Sequence, residues 1–217
     1  MPTYRYETEL MRERDAARVC GIDEVGRGPW AGPVTSVAVV IDVAKMPRAL
    51  QRRLKDSKQL DRDSREDIAA RLGDLFGHAV WAGFGEASVR EIDEINILQA
   101  SFRAMRRAYD ELAAALPAAP ECALVDGNIY PKTLPCPGRA LVGGDGLSLS
   151  IAAASILAKV ARDRLMADLC ERTPGYGWRT NAGYGTPEHQ AGLARLGVTE
   201  HHRRSFAPVA KLLAAKA

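Results

Sequence analysis

The sequence predicts an α/β fold, one sheet with helices packed around it. Three observations carry this. Short apolar runs of strand length recur along the chain, and three of them end in a carboxylate beside glycine. Between and after them lie long stretches with apolar residues at helical spacing. The first connection is short enough for a hairpin, while the next two pass through helices, a pattern that favours strands sharing one sheet. With 217 residues, 47% hydrophobic and 26% charged, the chain suits one sizeable core or a core with a small appendage.

Residues 1–17, rich in Arg and Glu without a clear apolar period, read as a poorly ordered arm or a short surface helix. Val19, Cys20 and Ile22 form a short buried strand that delivers Asp23 and Glu24 into the glycine-rich loop from Gly26 to Gly32. Val34 to Ile41, rich in β-branched residues, is a second strand and the hairpin partner of the first. After the basic stretch Arg48 to Lys58, Asp61 or Asp63 can cap a helix with Ile68, Leu72 and Leu75 on one face. Ala79 to Gly85 supplies a third strand. Ser88 and Glu91 form a possible capping box for a helix whose stripe Ile95, Leu98, Phe102, Met105, Tyr109, Leu112 and Leu116 belongs in the core. Pro117 to Pro120 ends it.

Cys122 to Val125 then repeats the opening pattern, a buried strand ending in Asp126 and Gly127. Ala140 to Val142 is a further short strand leading into Gly143-Gly144-Asp145-Gly146. Ser150 to about Glu171 is a long helix with Ile151, Ala154, Ala158, Ala161 and Leu165 on its apolar face and Lys159, Arg162 and Arg164 elsewhere on it. Thr173 to Gly185 reads as loop and the tail from Pro187 as helix, interrupted by His201-His202-Arg203-Arg204.

No apolar run approaches the roughly 18 residues of a membrane span, and the N-terminus lacks a signal-peptide core, which points to a cytoplasmic protein. Cys20, Cys122, Cys136 and Cys170 are scattered without a C-x-x-C pair, so neither a zinc site nor a disulfide framework is indicated. Residues 1–138 carry 19 Lys and Arg against 21 Asp and Glu, whereas residues 139–217 carry 11 against 6, net +5. A basic C-terminal third suits a polyanionic partner.

If the strands share one sheet, Asp23, Glu24, Asp126 and Asp145 can converge at its end. Clustered carboxylates repel one another unless cations neutralise them. Oxygen donors without nearby His or Cys select hard ions, so Mg²⁺ or Mn²⁺ is implied, and two such ions can drive in-line hydrolysis of a phosphodiester.

The motifs Gly21-Ile22-Asp23-Glu24-Val25-Gly26-Arg27-Gly28, Asp56-Ser57-Lys58, Val125-Asp126-Gly127, Gly144-Asp145, Ala153 to Lys159, Gly183-Tyr184-Gly185-Thr186 and His202 to Phe206 occur in an order that resembles bacterial ribonuclease HII over residues 18–208. The resemblance implies an RNase H-like five-stranded mixed sheet flanked by helices, with a helical C-terminal extension. It also implies a core over 18–170 and the extension over 171–217; a monomer is expected because one core accounts for all the visible apolar stripes. The implied activity is endonucleolytic cleavage of RNA in RNA/DNA hybrids and 5′ of a single ribonucleotide in duplex DNA. By position, Asp23, Glu24, Asp126 and Asp145 would bind two divalent ions. Gly26, Arg27 and Gly28 would read the ribose 2′-hydroxyl, Tyr184 would stack at the RNA-to-DNA junction, and Ser57 with Lys58 would contact phosphate. Lys159, Arg203 and Arg204 are candidates for phosphate contact or for structural pairing. Gly143 and Ala182 depart from the pattern, since lysine is common at both positions. A nuclease restricted to runs of ribonucleotides and a noncatalytic nucleic-acid-binding domain are the competing readings, the second disfavoured because a binder gains nothing from acids facing phosphate.

Overall fold

The structure, a computed structural model, describes residues 1–55 and 60–215. Its sheet is five-stranded and mixed, built from β1 (Val19–Val25), β2 (Val34–Ile41), β3 (Val80–Ala87), β4 (Cys122–Asp126) and β5 (Gly138–Leu141) in the order β3-β2-β1-β4-β5. β1 and β2 form the antiparallel hairpin, with Gly21 opposite Val39 and Asp23 opposite Val37. β3 runs antiparallel to β2 along its whole length, while β4 and β5 add parallel to β1 and to each other.

Helices cover both faces, which is why all eight residues of β2 are buried, Thr35 and Ser36 among them. Alternation sorts them. Val37, Val39 and Ile41 face α5 (Leu149–Arg172) and α3 (Arg62–Gly73), packing with Ile68, Leu72 and Ile156. Ala38 and Val40 face α4 (Val89–Ala114) with Cys20, Ile22, Met105, Tyr109 and Leu112. Asp61 caps α3 by accepting from Ser64 N at 2.7 Å, and Ser88 with Glu91 closes the capping box of α4.

The apolar stripe of α4 is only part of what it buries. Asn96 interrupts the helix (φ 65°, ψ 163°), and its Oδ1 accepts from Leu98 N and Gln99 N to start the helix again. Beyond that kink Ala100, Ala104 and Ala108 form a second buried row. They lie so close to β3 that a Cβ on Gly85 would sit 2.1 Å from Ala104 O, and one on Gly83 2.2 Å from Ala108 O. On the opposite face a Cβ on Gly21 would meet Ile151 N at 2.4 Å, so the glycine beside Asp23 sets how tightly α5 seats on β1.

The first residues are no loose arm. α1 (Arg5–Arg14) buries Leu10 and the carboxylate of Glu7, whose Oε1 accepts from Ser148 Oγ, Ser150 Oγ and Ser150 N at 2.6, 2.6 and 2.9 Å. Thr3 pairs with the same segment, donating from its amide to Leu147 O and accepting from Leu149 N. The segment expected to be loop from Thr173 to Gly185 contains a short helix, α6 (Trp178–Asn181). With α7 (Pro187–Leu196) it packs on α5 around Met166, Leu169, Tyr176, Trp178 and Leu193. A four-residue helix α2 (Arg48–Gln51) and the terminal α8 (Ala207–Ala214) complete the described elements. Among the described residues no helix is long and apolar enough to cross a membrane.

Candidate active site

Asp23 and Glu24 occupy successive positions near the end of β1, so their side chains leave on opposite faces of the sheet. Asp23 lies on the α5 side, 7% exposed, beside Ser155. Its carboxylate accepts from Glu24 N at 2.7 Å, and Ser36 Oγ donates to its carbonyl. Glu24 leaves on the α4 side, where Oε1 accepts from Arg27 at 3.3 Å while Oε2 is buried with no hydrogen-bond partner among the described residues. The parallel register that sets Ile22 against Val125 carries Asp126, one residue on, to the same end of the sheet as Asp23. Asp126 Oδ1 accepts from Gly144 N at 2.6 Å. That bond ties the third acid to the 3₁₀ turn Gly144–Gly146, in which Asp145 is buried.

Asp23, Glu24 and Asp126 line one cleft of about 280 Å³ together with Gly26, Ser155, Lys159, Arg162 and Tyr184. A smaller hollow on the α4 side shares Glu24 and Asp126 and adds Arg27, Leu98, Phe102 and Asn128. Burial pushes the Asp23 carboxyl well above the ordinary range, and the charges of Glu24 and Asp126 add to it. Glu24 is raised as well, by burial first, with Arg27 opposing and Asp126 reinforcing. Among the described residues no three ligand-type side chains are drawn into a ready-made metal cage. The chemistry of the donors nonetheless fits a hard divalent cation: repelling carboxylate oxygens, one of them buried and unpartnered, with neither His nor Cys on the cleft.

Tyr184 stands at the rim, 51% exposed, and its ring touches the Gly26 to Gly32 loop, 3.3 Å from where a Cβ on Gly28 would sit. Trp30 N donates to Gly183 O at 2.8 Å, so this loop and Gly26 to Gly32 are bonded into one wall. Lys159 reaches the cleft and is held by Asp163 at 2.5 Å. Arg204 is exposed and away from the cleft lining, anchored by its amide to Asp93. Ser57 and Lys58 lie outside the described residues. Gly143 and Ala182 share a property: both have left-handed backbone, with φ of 66° and 47°.

Two arginines of the basic third are buried. Arg203, open to phosphate contact or structural pairing, is fully buried; its guanidinium donates to the carbonyls of Gly26, Arg27, Gly32 and Pro33 and its charge lies over the Phe206 ring. Arg162, placed on an available helix face, is 1% exposed. Ser155 and Arg65 line the cleft and were not singled out. The spacing Ser155, Lys159, Arg162 along α5, steps of four and three, was the signal available for the first.

The Ribonuclease HII family model matches residues 20–209. The chain belongs to that family. Ribonuclease HII of Paramagnetospirillum magneticum is 60% identical over 197 residues, 90% of this chain and 92% of that protein. Ribonuclease H2 from Pyrococcus horikoshii, 27% identical, superposes with a TM-score of 0.75 over 91% of this chain and 98% of its own. Bst-RNase HIII in complex with Mn²⁺ shares the fold, with a TM-score of 0.71 at 21% identity over 92% of this chain and 70% of its own. The chain is therefore a ribonuclease H type endonuclease, a hydrolase of a family that requires divalent metal and acts on RNA/DNA substrates.

Proposed function

We propose that this enzyme cleaves RNA in RNA/DNA hybrids and on the 5′ side of single ribonucleotides embedded in duplex DNA, leaving 3′-hydroxyl and 5′-phosphate ends, and so removes ribonucleotides from DNA. The observation that carries the proposal is the shared cleft: three acids line it, and its opposite wall joins the Gly-Arg-Gly loop to the Tyr184 loop. Asp23, Glu24, Asp126 and Asp145 would hold two Mg²⁺ or Mn²⁺ ions. When bound, such ions activate the attacking water and stabilise the leaving oxygen of the phosphodiester. Gly26, Arg27 and Gly28 meet the ribose edge, which alone distinguishes RNA from DNA at a given position. Tyr184, exposed and touching Gly28, covers the following sugar, and Lys159, with Ser57 and Lys58, holds phosphate. Residues 18–170 act as the catalytic core and 171–217 as the substrate-side extension of a cytoplasmic monomer.

The deciding experiment offers a duplex with one ribonucleotide to the wild type and to Asp126→Asn in Mg²⁺. Cleavage 5′ of the ribonucleotide by the wild type, lost in the variant with duplex binding retained, is the expected result. Cutting only at runs of several ribonucleotides refutes junction recognition, and near-normal turnover by Asp126→Asn refutes the metal assignment.

A further inference from the structure

Two buried guanidinium groups, Arg162 on α5 and Arg203 between α7 and α8, have no task in this chemistry. Their seven hydrogen bonds all end on main-chain carbonyls. Arg162 donates to Pro33, to Ala31 at 3.1 Å and to Ala182 at 3.5 Å. Arg203 donates to Gly26 at 2.5 Å, to Arg27 and Gly32 at 2.9 Å, and to Pro33 at 3.0 Å. Burial pulls Arg162 down to about 10 and Arg203 to about 9, the second also lowered by the charge of the first, so both stay protonated at neutral pH. Holding two like charges inside a protein is unfavourable unless their donors are well used. Here the donors turn one loop inside out.

The carbonyls of Gly26 and Arg27 are drawn inward. Among the described residues, the amides of Gly26, Arg27 and Gly28 donate to no protein acceptor, and Arg27 and Gly28 are exposed. Gly26 has φ of 92°, and a Cβ there would lie 2.5 Å from the Arg162 guanidinium, so this glycine makes room for the arginine behind the loop. The planar fork of arginine suits several carbonyls at fixed angles, which the single ammonium of lysine does not.

We infer that Arg162 and Arg203 are positioning residues for sugar selection, fixing the loop carbonyls inward so that its amides are presented as donors to the ribose hydroxyl. The inference rests on the proposed reading of Gly26 to Gly28 as the ribose-recognition loop.

The test uses Asp126→Asn as parent and compares, by fluorescence anisotropy in Mg²⁺, a duplex carrying one ribonucleotide with the same duplex in all-DNA form. The parent should prefer the ribonucleotide by about tenfold, the worth of one well-made hydrogen bond. Adding Arg203→Lys or Arg162→Lys keeps the charge and removes the fork. The preference should then fall to about twofold or less, while affinity for the all-DNA duplex stays within about threefold; a residue that merely supports the fold would weaken both duplexes alike. A full preference in both lysine variants overturns the arginine role alone. No preference in the parent refutes the ribose loop itself and this inference with it. Should the variants not fold, hydrogen exchange on the folded parent decides: the Arg27 and Gly28 amides should exchange fast when free and be protected by the ribonucleotide duplex only. Protection in the free protein, or equal protection by both duplexes, overturns the inference.

Discussion

Truncating Glu7 to alanine should unfold this enzyme at a markedly lower temperature. Its carboxylate, fully buried, accepts from Ser148 Oγ, Ser150 Oγ and Ser150 N, at the start of the helix that packs under the active site. Each buried donor left without an acceptor costs about 1–3 kcal/mol. The two hydroxyls already lie 3.1 Å apart and can turn toward each other, so the amide and one hydroxyl carry most of the loss. Against this, Glu7 Oε2 is buried without a partner among the described residues, and removing it relieves its desolvation. The net is about 2–4 kcal/mol, or a fall in Tm of about 4–16 °C for a protein of this size. Thermal melts followed by circular dichroism measure it. Glu7→Gln keeps an oxygen for the three donors and should lose clearly less. Activity assayed well below the melt should drop in the alanine variant, because the segment from Gly144 to Ser148 that holds Asp145 loses its brace. A Tm within about 2 °C of wild type, or equal losses for alanine and glutamine, refutes the reasoning.

Acid should destabilise the protein through His202. In the unfolded chain it takes up a proton near its ordinary 6.5, but burial holds it down to about 4 in the fold. Between those values the unfolded state binds more protons, so stability falls as pH drops, by up to about 3 kcal/mol; a His202→Leu variant should show a flatter slope in urea titrations over that window, and an unchanged slope removes His202 as the cause. Gly85→Ala should cost several degrees of Tm, since its Cβ meets the backbone of α4 at 2.1 Å. Gly73→Ala, with nothing within 4 Å, should be neutral or stabilising by up to about 1 kcal/mol, and a comparable loss at both sites contradicts the packing account. Mg²⁺ or Mn²⁺ at about 100 times its Kd should stabilise the wild type by about 2.7 kcal/mol in thermal melts, an effect reversed by chelator and reduced in Asp126→Asn. An equal response from Na⁺ at matched ionic strength points to screening and away from site binding.

Much of the fold could be read from residues alone because its strands are short apolar runs with unambiguous ends. The β1–β2 hairpin, the Asp61 cap and the Ser88–Glu91 box are local, and local chemistry decided them. The positions of Asp23, Glu24 and Asp126 at one end of the sheet follow from strand-helix-strand connection. What escaped were long-range contacts. Glu7 meets Ser148 and Ser150 across more than 140 residues, and nothing in a charged N-terminal stretch announces a buried carboxylate. Arg162 looked like one more surface cation on α5 because its acceptors, the carbonyls of Ala31 and Pro33, are main-chain groups that leave no trace in sequence. Arg203 was open to either role, and only its burial decides. The break at Asn96 was hidden by an apolar stripe that continues across it.

The inward bonds from Arg203 also impose an order of events on synthesis. All four acids have been made by residue 145, yet the Gly26 to Gly28 loop, proposed to meet the sugar, gains the arginine bonding its carbonyls only once residue 203 is in place. On the proposed roles, a chain still emerging from the ribosome would hold its cutting groups before its means of choosing what to cut, and discrimination would be the last property it acquires.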